Sequence, residues 1–240
     1  MTTLILGPEA FASDEARVEG DAYRHLFRAR RLAVGDRLRV LDGAGAARWA
    51  EVAAVDRRSG RLRLLDAAPS NEPGYRLELL VATPKPERAA WLVEKATELG
   101  AAGVHFVASE RSPRSLGGGS LERLLRVAAA AVEQCGRSRV PEVSGVHRWA
   151  EVPALLEGIP DRWLLHTAPA GPQAEPWARG GTAGAVLIGP EGGWSDEEAA
   201  ELRALGCRPV RLGERVLRVE TAAVVAAAAV LLRPSPRPSP

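Results

Sequence analysis

The chain carries two hydrophobic rhythms in succession, and the change from one to the other falls near residue 70. From Arg37 to Asp66 apolar residues recur at every second position, as in Arg37-Leu38-Arg39-Val40-Leu41 and Arg61-Leu62-Arg63-Leu64-Leu65. A period of two sends successive side chains to opposite faces of a strand, one face buried and one wet. Turn residues break the rhythm at Asp42-Gly43-Ala44-Gly45 and Arg58-Ser59-Gly60, so these runs read as strands of a small β-barrel. Pro69-Ser70-Asn71-Glu72-Pro73-Gly74 has the composition of a linker. The pattern predicts one domain over residues 1–70 and a second over 73–232.

Beyond the linker, short apolar runs alternate with longer stretches of helical period. Strands are predicted over Tyr75 to Ala82, Val104 to Ala108, Trp163 to His166, Ala185 to Ile188 and Pro209 to Leu212. Helices are predicted over Pro86 to Leu99, where Gly100 stops the element, and over Leu121 to Cys135, Trp149 to Leu156 and Ser195 to Leu205. Alternation of this kind builds an α/β domain on a mainly parallel sheet. The last predicted helix, Thr221 to Leu232, is apolar on every face, so either the sheet or a second subunit has to cover it. The remaining residues, 233–240, are Arg-Pro-Ser-Pro-Arg-Pro-Ser-Pro, a composition that predicts a disordered tail.

Composition narrows the chemistry. With 46% hydrophobic residues the chain has enough material for a buried core. Basic residues number 32 and acidic residues 30, so net charge alone points to no polyanion. Lys85 and Lys95 are the only lysines, which leaves nearly all positive charge on arginine. The arginine fork suits phosphates and stacked bases better than an ammonium does, although a GC-rich genome would give the same bias. Two cysteines, Cys135 and Cys207, exclude a disulfide framework and an all-cysteine zinc site. His25, His105, His147 and His166 are far apart without ligand spacing, so no metal is expected. Met1 to Ala12 has no basic segment followed by an apolar run, and Ala222 to Leu232 is shorter than the roughly 20 residues a bilayer requires. A cytoplasmic protein without a membrane partner is expected.

Two stretches carry candidate chemistry. In Leu187-Ile188-Gly189-Pro190-Glu191-Gly192-Gly193-Trp194 a buried strand runs into a glycine-rich loop, and Ser195 with Glu198 forms a capping box for the following helix. Such a loop at a strand's carboxyl end is either a ligand cradle or a plain strand-to-helix turn. Its spacing is neither that of a dinucleotide fingerprint nor that of a P-loop. The second stretch, Leu212-Gly213-Glu214-Arg215-Val216-Leu217-Arg218-Val219-Glu220-Thr221-Ala222, places two arginines at the entrance of the apolar helix. They serve either to hold an anionic substrate or to pair with Glu214 and Glu220.

Together these two stretches resemble the signature segments of the RsmE-type 16S ribosomal RNA (uridine-N3) methyltransferases. Glu94-Lys95-Ala96-Thr97-Glu98-Leu99-Gly100, Ser109-Glu110-Arg111-Ser112 and Glu133-Gln134-Cys135-Gly136-Arg137 with Pro141 agree with the same family. His25-Leu26 with Arg28, Gly35-Asp36, and Asp42-Gly43 with Gly45 resemble its PUA-like RNA-binding domain. The resemblance implies a SPOUT-class domain with a trefoil knot, a homodimer, and S-adenosylmethionine as methyl donor. The donor would be held at His166, Thr167, Leu187, Ile188, Gly189, Gly192, Gly193, Trp194, Leu212, Gly213, Val216 and Leu217, mostly through backbone groups.

Uridine N3 must lose a proton before it can attack a methyl group, so a cation beside the developing anion would help, and Arg218 is the candidate. The base is left open among Glu191, Glu220 and a water. Cys135 is either a nucleophile of the pyrimidine-C5 kind or an inert thiol, and N3 chemistry needs no thiol. Arg24, His25, Arg28, Arg30 and Arg31 before the barrel strands, with Arg111, Arg114, Arg137 and Arg139 flanking helices of the second domain, are either phosphate contacts or a solvated basic face. The expected substrate is 16S RNA in the assembled small ribosomal subunit. A ribose 2′-O-methyltransferase of the same superfamily and a non-catalytic RNA-binding assembly protein are the alternatives.

Overall fold

A computed structural model describes residues 2–112, 116–166 and 177–232. They form two compact units, Met1–Glu72 with Ala129–Val140, and Pro73–Ala128 with Pro141–Pro240.

The first unit is built on β1 (Thr3–Ile5), β2 (Glu15–Glu19), β3 (Arg37–Leu41), β4 (Ala47–Val55) and β5 (Ser59–Ala67), with a short helix α1 (Gly20–Tyr23) that continues into a π-helical turn, Arg24–Ala29. Strand order is β1-β3-β4-β5-β2, antiparallel except for the β1–β3 pair. The expected barrel is thus a curled half-barrel with β1 and β2 as edges, and two register shifts between β4 and β5 supply bends. The alternating pattern works as the sequence implies: Leu38, Val40, Ala50, Val52 and Leu62 are fully buried against Leu26 and Phe27. Gly60 is required there, because an added Cβ would lie 2.3 Å from the Phe27 ring.

Within this unit Glu72, in the segment that resembles a linker, acts as a clamp. Its carboxylate accepts from Arg137 Nη2 at 2.7 Å and Nε at 3.1 Å, and from the backbone N–H groups of Ser138 at 2.8 Å and Arg139 at 3.0 Å. Arg39 donates to the carbonyls of Gly136 and, at 2.6 Å, of Pro69. Arg137 therefore does not offer its guanidinium to phosphate as expected. Only 4% of the residue is exposed, and its charge is neutralised internally.

The second unit has β6 (Arg76–Ala82), α2 (Pro86–Leu99), β7 (Gly103–Val107), α3 (Ser120–Cys135), whose residues from Ala129 onward count with the first unit, β8 (Glu142–His147), α4 (Val152–Leu155), β9 (Asp161–Leu165), β10 (Ala183–Ile188), α5 (Asp196–Ala204), β11 (Arg208–Val210) and α6 (Val219–Leu231). Sheet order is β11-β9-β10-β6-β7-β8, and every pair is parallel. Leu77–Ala82, Gly103–Val107 and Gly184–Ile188 are buried throughout, as strands covered on both faces must be. The α2 helix ends where expected, on Gly100 at φ 99°, whose N–H returns to Ala96 and Thr97 carbonyls.

Differences from the pattern have local causes. The last strand stops at Val210 rather than Leu212, because its partner β9 ends at Leu165 and the His166 N–H takes the Val210 carbonyl as the last rung. The stretch from Trp149 is a 3-10 turn and then α4, with Pro153 in the first turn of the helix. The apolar helix α6 buries Val219, Ala223, Ala226, Ala227 and Val230, packing on α2, β6 and β10. Val225 at 40% and Leu232 at 66% stay exposed, so the sheet side of the helix is covered and a second side remains open. Among the described residues no helix is long and apolar enough to cross a membrane.

The Glu72 clamp makes acid stability testable. Burial alone would raise its carboxyl, but the Arg137 hydrogen bond and charge, with the Ser138 and Arg139 N–H groups, hold it below the usual range. A depressed folded value contributes stability that is present above the unfolded value of about 4.3 and is lost as pH falls through the folded one. Glu72→Ala strands a buried guanidinium and should cost about 3 kcal/mol at pH 7. Thermal unfolding of wild type and Glu72→Gln from pH 7 to pH 3 should show an acid loss in the wild type that the amide variant lacks.

Candidate functional site

The carboxyl ends of β9, β10 and β11 lie side by side, and the chain leaving each contributes one wall of a cavity of about 610 Å³. Leu165 and His166 come from β9, the run from Ile188 to Trp194 with Asp196 from β10, and the run from Val210 to Leu217 from β11. Val219 and Ala222 at the start of α6 and Arg111 from the turn after β7 complete it.

The glycines of the β10 loop have separate tasks. Gly193 sits at φ 72° and donates to the Pro190 carbonyl at 2.9 Å, closing a tight turn. A Cβ on Gly189 would stand 2.9 Å from Nε1 of Trp194, whose indole packs against Trp149 at 5.7 Å between centroids. Nε1 of Trp194 is buried and has no partner among the described residues, although the residue lines the cavity. A Cβ on Gly192 would meet the Arg111 stem at 3.4 Å.

The capping box expected from sequence is present and has a second task. Ser195 Oγ accepts from the Glu198 N–H at 3.2 Å, and Glu198 Oε2 accepts from the Ser195 N–H at 3.0 Å. The other carboxylate oxygen accepts from the Glu110 N–H at 2.8 Å, tying the turn after β7 to the head of α5. On α2, Arg88 ion-pairs with Glu191 of the glycine loop and, at 3.7 Å, with Glu220 at the head of α6.

Ten of the residues expected around a cofactor line this one cavity: His166, Ile188, Gly189, Gly192, Gly193, Trp194, Leu212, Gly213, Val216 and Leu217. Leu187 faces the core with Leu80, Leu164 and Leu202 instead, as its place in a buried strand requires. Thr167 and Arg114 lie outside the described residues. Arg218 is the N-cap residue of α6, exposed, between Leu217 and Val219 on the cavity wall. Among the described residues neither Arg215 nor Arg218 pairs with Glu214 or Glu220, so internal salt bridging does not account for those two arginines. The partner of Glu220 is Arg88, which sequence reading did not single out.

Arg24, His25, Arg28, Arg30 and Arg31 are all exposed on and after the π-helical turn of the first unit. Arg24 pairs with Asp21, and Arg28 lies over the Tyr23 ring at 5.7 Å. Arg31 takes φ 59°, the one described non-glycine residue in the left-handed region. Of the other expected contacts, Arg111 reaches the cavity, Arg139 is exposed, and Arg137 is the buried clamp described above.

Comparison with known proteins agrees on one family. The model of an RNA methyltransferase domain matches residues 70–231, and that of an RNA methyltransferase PUA domain matches residues 18–65. The Ribosomal RNA small subunit methyltransferase E of Synechocystis is 30% identical over 232 residues, covering 95% of this chain and 76% of its own. The protein of that name from Mycobacterium bovis is 32% identical over 229 residues, covering 90% and 85%. The crystal structure of the Neisseria gonorrhoeae methyltransferase E bound to S-adenosyl methionine shares the fold with a TM-score of 0.81 at 24% identity, over 95% of this chain and 96% of that one.

The two thiols can be ranked. Burial pushes Cys207 up to about 11 and Arg162 offsets little of that, so it is a core residue and scarcely ionised at neutral pH. Cys135 is half-buried at the end of α3, in the unit that does not hold the cavity. With iodoacetamide at pH 8, Cys135 should alkylate at least about tenfold faster than Cys207 by peptide mass mapping. Equal rates would contradict the burial of Cys207.

Proposed function

Because the chain belongs to the Ribosomal RNA small subunit methyltransferase E family, we propose that it transfers a methyl group from S-adenosylmethionine to N3 of a uridine in 16S ribosomal RNA. The observation that carries this reading is the convergence of the glycine loop and the arginine-bearing turn on one cavity at the carboxyl ends of three parallel strands. A site at that edge of a parallel sheet is where ligands of α/β folds are held.

The residues present suit the donor. Cavity volume falls within the roughly 300–1,000 Å³ of small-molecule sites. Leu165, Ile188, Leu212 and Leu217 give an apolar wall for a purine, while the glycine loop leaves backbone groups unscreened by side chains. Trp194 Nε1, buried and without a partner among the described residues, is a donor in want of an acceptor. When bound, S-adenosylmethionine supplies an electrophilic methyl on a sulfonium, so the protein has little covalent work to do and positioning dominates.

The chain's own part is to hold the uridine and manage its charge. Removing the N3 proton leaves an anion shared with the flanking carbonyl oxygens. Arg218 stands at the amino end of α6, where a guanidinium unpaired among the described residues and the helix dipole both stabilise negative charge. Glu191 and Glu220 are engaged by Arg88, which ties the glycine loop to the arginine turn. Glu220 keeps its second oxygen, Oε2, buried and without a partner among the described residues, so Glu220 and a water both stay open as the proton acceptor.

We further read residues 1–70 as the RNA-binding domain and 73–232 as the catalytic domain, with Arg24, His25, Arg28, Arg30 and Arg31 on phosphates. The open side of α6, with exposed Val225 and Leu232, suits the homodimer contact that the family resemblance implies. The same reading includes the knotted path of the catalytic domain, action on the small ribosomal subunit in the cytoplasm, and chemistry without a metal.

Nucleoside mass spectrometry of 16S RNA treated with the purified protein and donor should find 3-methyluridine; methyl on ribose would overturn the reading. Arg218→Ala should lower kcat about 100-fold with donor affinity within twofold by calorimetry. Gly189→Ala should do the converse, weakening donor binding at least about tenfold, because its Cβ would displace the Trp194 indole.

A further inference from the structure

Arg111 is held in a way that its sequence neighbours do not explain. The turn after β7 is closed by Ser112 Oγ, which accepts from the Ser109 N–H at 2.9 Å and donates to the Ser109 carbonyl at 3.3 Å. The same turn is anchored from outside by Glu198, a residue only 6% exposed, through the Glu110 N–H. Arg111 is thereby delivered onto the glycine loop, where Nη1 donates to the Gly192 carbonyl at 2.9 Å and the stem fills the space a Gly192 side chain would take.

A carbonyl partner orients a guanidinium without neutralising it. Among the described residues Arg111 makes no ion pair, whereas Arg88 beside the same loop makes two. The result is an exposed, uncompensated cation fixed at the mouth of the cavity by a buried carboxylate. The donor proposed above carries net positive charge, so this cation is better matched to the polyanionic substrate.

We propose that Arg111 binds a phosphodiester of the RNA beside the target uridine, and that Glu198 is its positioning residue. This deepens the reading of the site as an RNA methyltransferase centre and rests on it. The role of Glu198 is separate from helix capping, since one oxygen serves the cap and the other serves the turn.

The test uses the full-length protein with 16S RNA in small subunits, donor affinity by calorimetry, and initial rates over a range of salt. Arg111→Ala should raise the KM for RNA about tenfold, with the loss in KM rather than kcat, and reduce the slope of log affinity against log salt by about one. Arg111→Lys, which keeps the charge, should restore the slope and part of the KM. Glu198→Ala should shift KM in the same direction, Glu198→Gln less so, and the Arg111→Ala/Glu198→Ala pair no more than the worse single variant. Thermal melts set the assay temperature for the Glu198 variants; Glu198→Gln, which keeps the side chain's size, carries the test of Glu198 if the alanine variant unfolds, and Arg111→Ala, a surface change, tests the phosphate contact in either case. An unchanged salt slope in Arg111→Ala overturns the phosphate contact, as does a tenfold loss of donor affinity, which would place Arg111 on the cofactor. Additive effects in the double variant overturn the role of Glu198. Absence of methyl transfer by the wild type would instead fell the parent reading, and this proposal with it.

Discussion

Six parallel strands must all end on the same edge of their sheet, and every chain leaving that edge must turn there without a following strand to pair with. In the second unit this constraint gathers three exits, after Leu165, Ile188 and Val210, onto adjacent positions of the order β11-β9-β10. Backbone amides and carbonyls at such exits have lost their ladder partners, so they are satisfied by turns, by side chains or by a ligand. Here the turn at Gly193 and the rung from His166 to Val210 account for part of them. The cavity is the place where the remainder can face a ligand.

Loops at strand exits are soft unless something fixes them, and two carboxylates supply much of the fixing. Glu198 joins the turn after β7 to the head of α5, and Glu191 meets Arg88, which also reaches Glu220 at the head of α6. The rigid elements α2, α5 and α6 thus each hold a portion of the cavity wall. A binding site on braced loops keeps its shape before the ligand arrives, which lowers the entropy lost on binding.

How far the sequence discloses this depends on the range of the interaction. Features set by neighbours in the chain are legible: the buried runs of β6 and β10, the left-handed stop at Gly100, and the Ser195–Glu198 capping box all follow from residues within a few positions. Short or edge elements are not, because β1 has three residues and β8 lies at the sheet margin with a half-buried pattern that mimics a loop. Long-range charge partners are invisible for a different reason. Glu72 looks like linker and Arg137 like a basic surface until the fold brings them together across 65 positions, and nothing near Arg88 announces Glu191 or Glu220. The cavity lining was legible through a family resemblance whose motifs sit at the strand exits. Leu187 packs in the core rather than on the cavity because a motif spans both faces of a strand while a pocket sees only what lies beyond its end.

The arginine-rich composition divides by burial into two kinds of work. Arg162 donates its three nitrogens to the carbonyls of Ile159, Leu205 and Leu156, tying together the chain around the start of β9 and the end of α5. Arg39 does the same for Gly136 and Pro69 in the first unit. A lysine, with one charged centre on a flexible stem, could not span three carbonyls in a plane, so these positions call for the fork whatever the genomic bias. Arg111 and Arg215, which line the cavity, and Arg218, between two of its lining residues, are the other kind, exposed and without a carboxylate partner among the described residues. Since the chain's positive and negative charges nearly cancel in total, what distinguishes the mouth is which of its charges are paired. Glu191 is engaged by Arg88 although it lines the cavity, and Glu214 lines it as well, so Arg111 and Arg215 stand near carboxylates of the mouth without pairing with them among the described residues.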